Sequence, residues 1–331
     1  MKRNRYLILV LLLAAAWMAP AKNPVKIIFD TDMGPDFDDV GAITVLHVLA
    51  DNGECEILAC LASDRYPTVA PTIEVFNQYF GKPDIPIGVA APGAPDFSAP
   101  NHWNDSIVAK FLDQPKTNDD YPAAVEVYRK ALAAQPNKSV TIVTVGFTSN
   151  LDDLLKSGPD EFSPLSGKEL VQKKVKQWVA MAGALPQGIE FNVIKDASAS
   201  VYAFQHWPTP ILLSGFEIGV QILTGKKVAE TGDVSNPVAW AYAYNFESYA
   251  DQKMEKRCSW DQTAVLCAIR NPENFFYVNG PGKFEVAEDG SNTWNPDADA
   301  QHFFLTHKYT YQHIADILDE LMLHQPIKNN Q

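Results

Sequence analysis

Sulfur is scarce and scattered in this chain. The four cysteines, Cys55, Cys60, Cys258 and Cys267, form no C-x-x-C pair and no Cys/His group at zinc spacing. Thiolate metal chemistry is thereby excluded as the basis of a site. Cys55 and Cys60 fall on or beside one predicted strand at odd separation, so a regular strand points them to opposite faces, and mostly buried free thiols are expected. Basic residues are also short: 27 Lys and Arg stand against 40 Asp and Glu, a net charge of −13. That field disfavours nucleic acid and anionic membranes as partners and suits a small neutral or cationic substrate. No Gly/Ser linker, low-complexity tract or internal repeat divides the chain, so one domain is expected.

The first 21 residues are of a different kind. Lys2, Arg3 and Arg5 precede an apolar run at 6–18, and Ala19-Pro20-Ala21 fits a small-x-small cleavage site. The run is shorter than the roughly 20 residues that a membrane-spanning helix needs, and no Cys follows it for lipid attachment. Residues 1–21 therefore read as a signal peptide and 22–331 as a single mature domain, exported to a periplasm or secreted, with no membrane association after cleavage. Loss of the three basic leader residues takes the net charge from −13 to −16.

Apolar runs at 25–29, 56–62, 85–89, 140–145, 175–180 and 210–213 read as buried strands, with helical patterns between most of them. The alternation predicts an α/β fold, a mainly parallel twisted sheet with helices on both faces and a Rossmann-like core. Val40, Ile43 and Leu46 mark the apolar face of the first helix, and Gly53 suits its C-terminal cap. Further helices are expected at about 71–80 and 123–134. Helical signals at 238–246, 260–269 and 311–323 predict a helical C-terminal part. The segment 90–120, rich in Pro, Asn and Asp, reads as a long surface loop.

The densest feature follows the first strand. Asp30, Asp32, Asp36, Asp38 and Asp39 put five carboxylates within ten residues. Like charges so close repel unless a proton or cation offsets them, and hard oxygen donors suit Ca²⁺ or Mg²⁺ rather than Zn²⁺. Ligands of open α/β sheets bind beyond the carboxyl ends of the strands. Polar clusters end three more strands there: Ser63-Asp64, residues 146–150 and residues 183–192. A further one, Ser259-Trp260-Asp261-Gln262, opens a late helix.

Taken in order, Asp30-Thr31-Asp32-x-Gly34 followed by Asp38-Asp39, the Gly146-x-x-Ser149-Asn150 turn, Glu190-Phe191-Asn192 and Asp261 at a helix start resemble the inosine-uridine preferring nucleoside hydrolases. The resemblance runs from about Lys26 to about residue 325. It implies that family's fold and a Ca²⁺-dependent hydrolysis of the N-glycosidic bond of a ribonucleoside or related ribosyl compound, giving base and ribose for purine or pyrimidine salvage, in a dimer or tetramer. It also implies Ca²⁺ ligands at Asp32, Asp39, the carbonyl of Ser149 and Asp261. Asp32 would take a proton from a water whose acidity the metal increases. Asp38, Asp64, Glu190 and Asn192 would bind substrate, the carboxylates favouring an oxocarbenium-like transition state.

The chain departs from the family pattern at four places. The opening is two residues longer than D-x-D-P-G-x-D-D, which adds Asp36. Trp260 stands where many members have His; that removes the commonest general acid and offers, as a second catalytic group beside Asp32, an indole that stacks on the base and raises its basicity, the alternative being an indole that packs as core. Ala184 lies near the position of a ribose-binding Asn in the Met-Gly-Gly segment, here Met181-Ala182-Gly183. Asp64 replaces a frequent Asn.

Two rival readings share parts of this pattern. A haloacid-dehalogenase-type phosphatase also opens on strand-Asp-x-Asp with Mg²⁺, making Asp30 nucleophile and Asp32 acid. Against it, Asp38-Asp39 lies too close to act as that family's distant acidic pair, and no phosphate-binding Lys segment is evident. An exported nucleoside- or sugar-binding protein that kept the cation site without turnover is the other, raised by Trp260 and Ala184. Three lesser expectations complete the reading: Asp30 tethers the acidic loop through backbone N–H groups, Asp196 caps the helix that follows it, and His102 and Trp103 either approach a bound base or anchor their loop.

Overall fold

Nearly every apolar run becomes a strand of one sheet. The computed structural model describes residues 23–249 and 253–326, so the expected signal peptide at 1–21 lies outside the described residues. The strands are β1 (Val25–Thr31), β2 (Cys55–Ala62), β3 (Ile87–Val89), β4 (Val140–Thr144), β5 (Val175–Met181), β6 (Gln187–Ile189), β7 (Ile211–Ser214), β8 (Leu223–Thr224), β9 (Arg257–Cys258), β10 (Phe276–Val286), β11 (Ser291–Pro296) and β12 (His302–His307). Ten of them form a sheet in the order β3-β2-β1-β4-β5-β7-β12-β10-β11-β6, while β8 and β9 pair separately. Pairing is parallel from β3 through β12 and antiparallel among β12, β10, β11 and β6.

Side chains alternate across β1, and both faces are covered. Ile27 and Phe29 join one core with Leu46, Phe76 and Leu266, whereas Ile28 joins a second with Ile142, Trp178 and Leu213. Burial on both faces is why these strands read as unbroken apolar runs. The C-terminal part is not helical alone, as had been expected, because β10, β11 and β12 continue the sheet between the helices Trp260–Ile269 and Tyr311–Met322. About half of β10 is exposed and its middle is Asn279-Gly280-Pro281-Gly282, so its composition mimics a turn.

The first helix, Asp38–Asp51, closes as its sequence predicts. Gly53 takes φ +73°, its N–H reaches Ala50 O at 3.0 Å, and Glu54 N–H reaches Leu49 O at 2.8 Å, the two bonds of a Schellman cap. Nearly all of this helix is buried against Trp260–Ile269. A Cβ at Gly41 would lie 2.2 Å from Gln262 Nε2 and 2.5 Å from the Tyr242 hydroxyl, so glycine leaves room for that buried hydrogen-bonded pair.

The 90–120 segment is only partly loop, since it holds the helix Trp103–Phe111. Trp103 is fully buried and its indole N–H donates to Asp36 O at 3.0 Å, while exposed His102 lies 3.0 Å from the Tyr66 hydroxyl. All four cysteines are free thiols and three of them are buried. Among the described residues no helix is long and apolar enough to cross a membrane.

Candidate active site

Beyond the carboxyl ends of β1, β4 and β5 lies a cavity of about 260 Å³ whose wall carries Asp32, Asp36, Asp38, Asp39 and Asp261 together with Glu190. A larger cavity, about 670 Å³, opens near the start of β7 beside Lys283, Glu285 and His302, with its charges of both signs mixed. Chemistry rather than size separates the two, because only the smaller one crowds five aspartates and a glutamate against a single arginine.

Each acid is placed by a local device. Asp32 leaves β1 directly against the turn after β4, where a Cβ at Gly146 would lie 2.4 Å from Asp32 N and 2.7 Å from Asp32 Cβ. The Ser63 hydroxyl accepts the Phe147 N–H of the same turn at 3.1 Å. The Thr31 hydroxyl donates to the carboxylate of Asp39. Asp261 opens its helix and donates its own N–H to Asp38 Oδ2 at 3.1 Å, which joins two segments 223 residues apart. A Cβ at Gly219 would lie 2.2 Å from Trp260 Cα, so a second glycine lets that helix start reach the cavity.

The electrostatics are those of an unbalanced cluster. Burial, then the charge of Asp39 and other neighbouring carboxylates, pushes Asp32 well above the usual carboxylate range. Asp38 and Asp261 are raised strongly in the same way, and Asp39 is pushed up to about 7 by burial and by Asp36. Asp36 differs: burial pulls it upward, but the Arg257 charge and hydrogen bonds outweigh burial and hold it at about 2. Arg257 Nη2 donates to Asp36 Oδ2 at 2.6 Å, and Asp38 N–H donates to Asp36 Oδ1 at 3.0 Å.

These donors fit a hard divalent cation. One oxygen each from Asp36, Asp38 and Asp39 lie within 4.8 Å of one another, and Asp32 and Asp261 face the same cavity. The set is all carboxylate and buried apart from half-buried Asp36, and among the described residues lining the cavity the one cation, Arg257, is already bonded to Asp36.

The cavity brings together Asp32, Asp38, Asp39, Glu190, Asn192, Trp260 and Asp261 of the residues named from sequence. Asp64 and Ser149 are not among the lining residues. Asp64 is fully buried, accepts the N–H groups of Tyr66 at 2.6 Å and Phe97 at 3.1 Å, and is pushed up to about 8 by burial. The Ser149 hydroxyl donates to Asp196 at 2.8 Å, as does Thr148 N–H. Asp196 thus binds the start of the neighbouring helix Ser149–Lys156 and makes no side-chain cap on its own, contrary to expectation. Asp30 is likewise held by side chains, the Tyr128 hydroxyl at 2.8 Å and Asn150 Nδ2 at 3.0 Å, rather than by backbone N–H groups.

Glu190 spends much of its carboxylate on backbone, accepting from Asn192 N–H at 2.8 Å, Val193 at 3.1 Å and Gly183 at 3.2 Å. Trp260 stacks on Phe216 with centroids 5.4 Å apart and donates its indole N–H to Phe216 O at 2.8 Å. Ala184 offers no side-chain polar group, and Asn292 grips its backbone, accepting its N–H at 2.9 Å and donating to its carbonyl at 2.7 Å. Arg257 and Phe216 are site residues that the sequence did not announce.

Residues 27–313 match the family model described as inosine-uridine preferring nucleoside hydrolase, and the chain belongs to that family. It is accordingly a hydrolase that acts on N-glycosidic bonds. Solved structures agree in fold. A plant nucleoside hydrolase, the PpNRh1 enzyme, is 20% identical over 90% of this chain and 99% of its own, with a TM-score of 0.65. An inosine-guanosine nucleoside hydrolase is 19% identical over 90% and 98%, with a TM-score of 0.64. An inosine-uridine preferring nucleoside hydrolase from Bacillus anthracis is 15% identical over 90% and 99%, again with a TM-score of 0.64. None of the curated proteins matches the chain.

Proposed function

We propose that this cavity hydrolyses ribonucleosides or closely related ribosyl compounds with the help of a calcium ion, releasing free base and ribose. The observation that carries the reading is the meeting of Asp261 with the Asp32–Asp39 segment at the carboxyl end of β1. Asp32, Asp39 and Asp261 are the residues that would hold the ion. The backbone carbonyl of Ser149, at the start of the helix that follows β4, would join them. When bound, the ion offsets the carboxylate repulsion and makes a nearby water more acidic.

The chain's own groups supply the rest. Asp32, held rigidly against Gly146, takes the proton of the attacking water. Asp38 and Glu190 accept from ribose hydroxyls, and Asn192 adds a polar contact beside them; their negative charge lowers the energy of the ribosyl cation formed as the bond breaks. Trp260 lines the leaving-group side with a ring face, since its N–H is committed to Phe216. Export and assembly into an oligomer belong to the same proposal and rest on the leader sequence and on family resemblance.

The test is a panel of purine and pyrimidine ribosides incubated with saturating Ca²⁺, with reducing sugar as the readout. Wild-type protein is expected to release ribose from at least one of them. No release above an Asp32→Ala control sinks the reading, and tight binding without release would favour the binding-protein alternative.

A further inference from the structure

The aromatic side of the cavity holds a cation that none of these roles uses. The Arg257 side chain is 16% exposed, with its guanidinium carbon 5.2 Å from the Tyr249 ring centroid, 5.3 Å from Trp260 and 5.4 Å from Phe37. Three rings and one carboxylate fix the group in place. Its donors are largely unspent. Nη2 reaches Asp36, Nε–H is buried with no partner, and no hydrogen bond among the described residues engages Nη1. A buried unpaired donor costs about 1–3 kcal/mol, and balancing the charge of Asp36 requires only one of the five N–H groups.

The other polar groups on this wall are already committed. The Trp260 indole N–H donates to Phe216 O, and the Tyr249 hydroxyl donates to Pro35 O at 2.9 Å. Neither is free to meet a leaving group. Because Asp36 matches the charge of Arg257, the pair offers N–H donors without presenting a net positive charge to a cationic sugar.

We propose that Arg257 is the leaving-group residue of this site: it binds an in-plane acceptor atom of a flat heteroaromatic base lying beside Trp260 and Tyr249, and stabilises the charge that this base acquires on departure. The inference deepens the hydrolase reading above and rests on it. In the step, the C1′–N bond breaks and its electron pair goes to the base nitrogen. The water oxygen bonds to C1′ and its proton goes to Asp32. The base leaves as an anion held by Arg257 and is protonated by solvent after release. A guanidinium does not give up a proton near neutral pH, so its part is electrostatic rather than that of a general acid. The substrate class is therefore ribosides of bases that carry acceptor lone pairs on the ring edge and bear an anionic charge well.

The experiment compares two leaving groups on the full mature chain with Ca²⁺: the better of inosine and uridine, and p-nitrophenyl riboside, whose nitrophenolate departs readily without help. Arg257→Gln is expected to lower kcat on the nucleoside about 100-fold and on the aryl riboside less than about 5-fold. The double variant Asp36→Asn/Arg257→Gln leaves no unpaired charge and is expected to show the same inequality, which carries the test if the single variant folds poorly. Equal losses on the two substrates, or no loss on the nucleoside, overturn the proposal while the hydrolase reading stands. Wild-type protein that cleaves neither substrate overturns both.

Discussion

The two walls of the cavity solve opposite electrostatic problems. On one, Asp32, Asp38, Asp39 and Asp261 are buried together, and each is pushed upward by desolvation and by its neighbours. On the other, Asp36 lies close by, half-buried, and is held at about 2 by Arg257. One wall lacks its counter-charge and the other carries its own. The lesson is that carboxylates three residues apart do different work: Asp39 is poised for an added cation, while Asp36, the acid added by the longer opening, is already satisfied.

The sharpest way to break this contrast is to remove a carboxylate from the first wall. Asp261→Ala is expected to cut nucleoside turnover by about 10³-fold or more, since the cation's contribution to a charged transition state is several kcal/mol. Steady-state assays at saturating Ca²⁺ check it, and a loss under tenfold would place Asp261 outside the chemistry. Next in size is cation affinity itself. Asp39→Asn should weaken Ca²⁺ binding more than about 100-fold and Asp36→Asn less than about 10-fold, measured with a competing fluorescent chelator. Similar losses in the two variants would erase the distinction between the walls.

Geometry offers a third lever. Gly41→Ala puts a Cβ 2.2 Å from Gln262 Nε2 and displaces the buried Gln262–Tyr242 hydrogen bond between the helices that carry Asp38–Asp39 and Asp261 and their neighbour. A cost of about 1–3 kcal/mol in denaturant unfolding is expected, with weaker Ca²⁺ binding alongside. An unchanged unfolding midpoint would mean that the helix contact gives way freely.

The smallest effect is a reference point outside both walls. His302, in the larger cavity, accepts the Phe284 N–H at 3.0 Å and is lowered to about 4, by burial first and then by Lys283. Its folded value lies below its unfolded one, so its contribution to stability is complete above about pH 6.5 and is lost as the pH falls toward 4. On the order of 1–2 kcal/mol is expected, seen as a drop in Tm between pH 7 and 4.5 that His302→Asn flattens. An identical pH profile in that variant removes His302 from the balance.

How much of this was legible beforehand follows from burial. The strands at 25–31, 55–62 and 175–181 sit between two cores and could only be apolar, so their positions were readable. β10 to β12 were not, because exposed faces and Gly280-Pro281-Gly282 give them the composition of turns. The helix at Trp103–Phe111 was hidden in a Pro- and Asn-rich stretch and starts after His102 at φ +49°. Within the site, the acidic wall was readable because crowded aspartates demand an explanation wherever they occur. Arg257 was not, because it stands in a run of Lys and Glu residues that reads as solvated, and only its pairing with Asp36 turns it inward. Asp64 had the right residue type at the end of a strand, yet its carboxylate bonds to the Tyr66 and Phe97 backbone.

The most direct measurement is a calorimetric titration of CaCl₂ into chelator-stripped protein, run for the wild type and for Asp261→Asn. One tight site in the wild type that is lost in the variant is the predicted result, because residue 261 completes a cage begun at the end of the first strand. Heat-silent wild-type protein, or equal binding by the variant, would contradict the account.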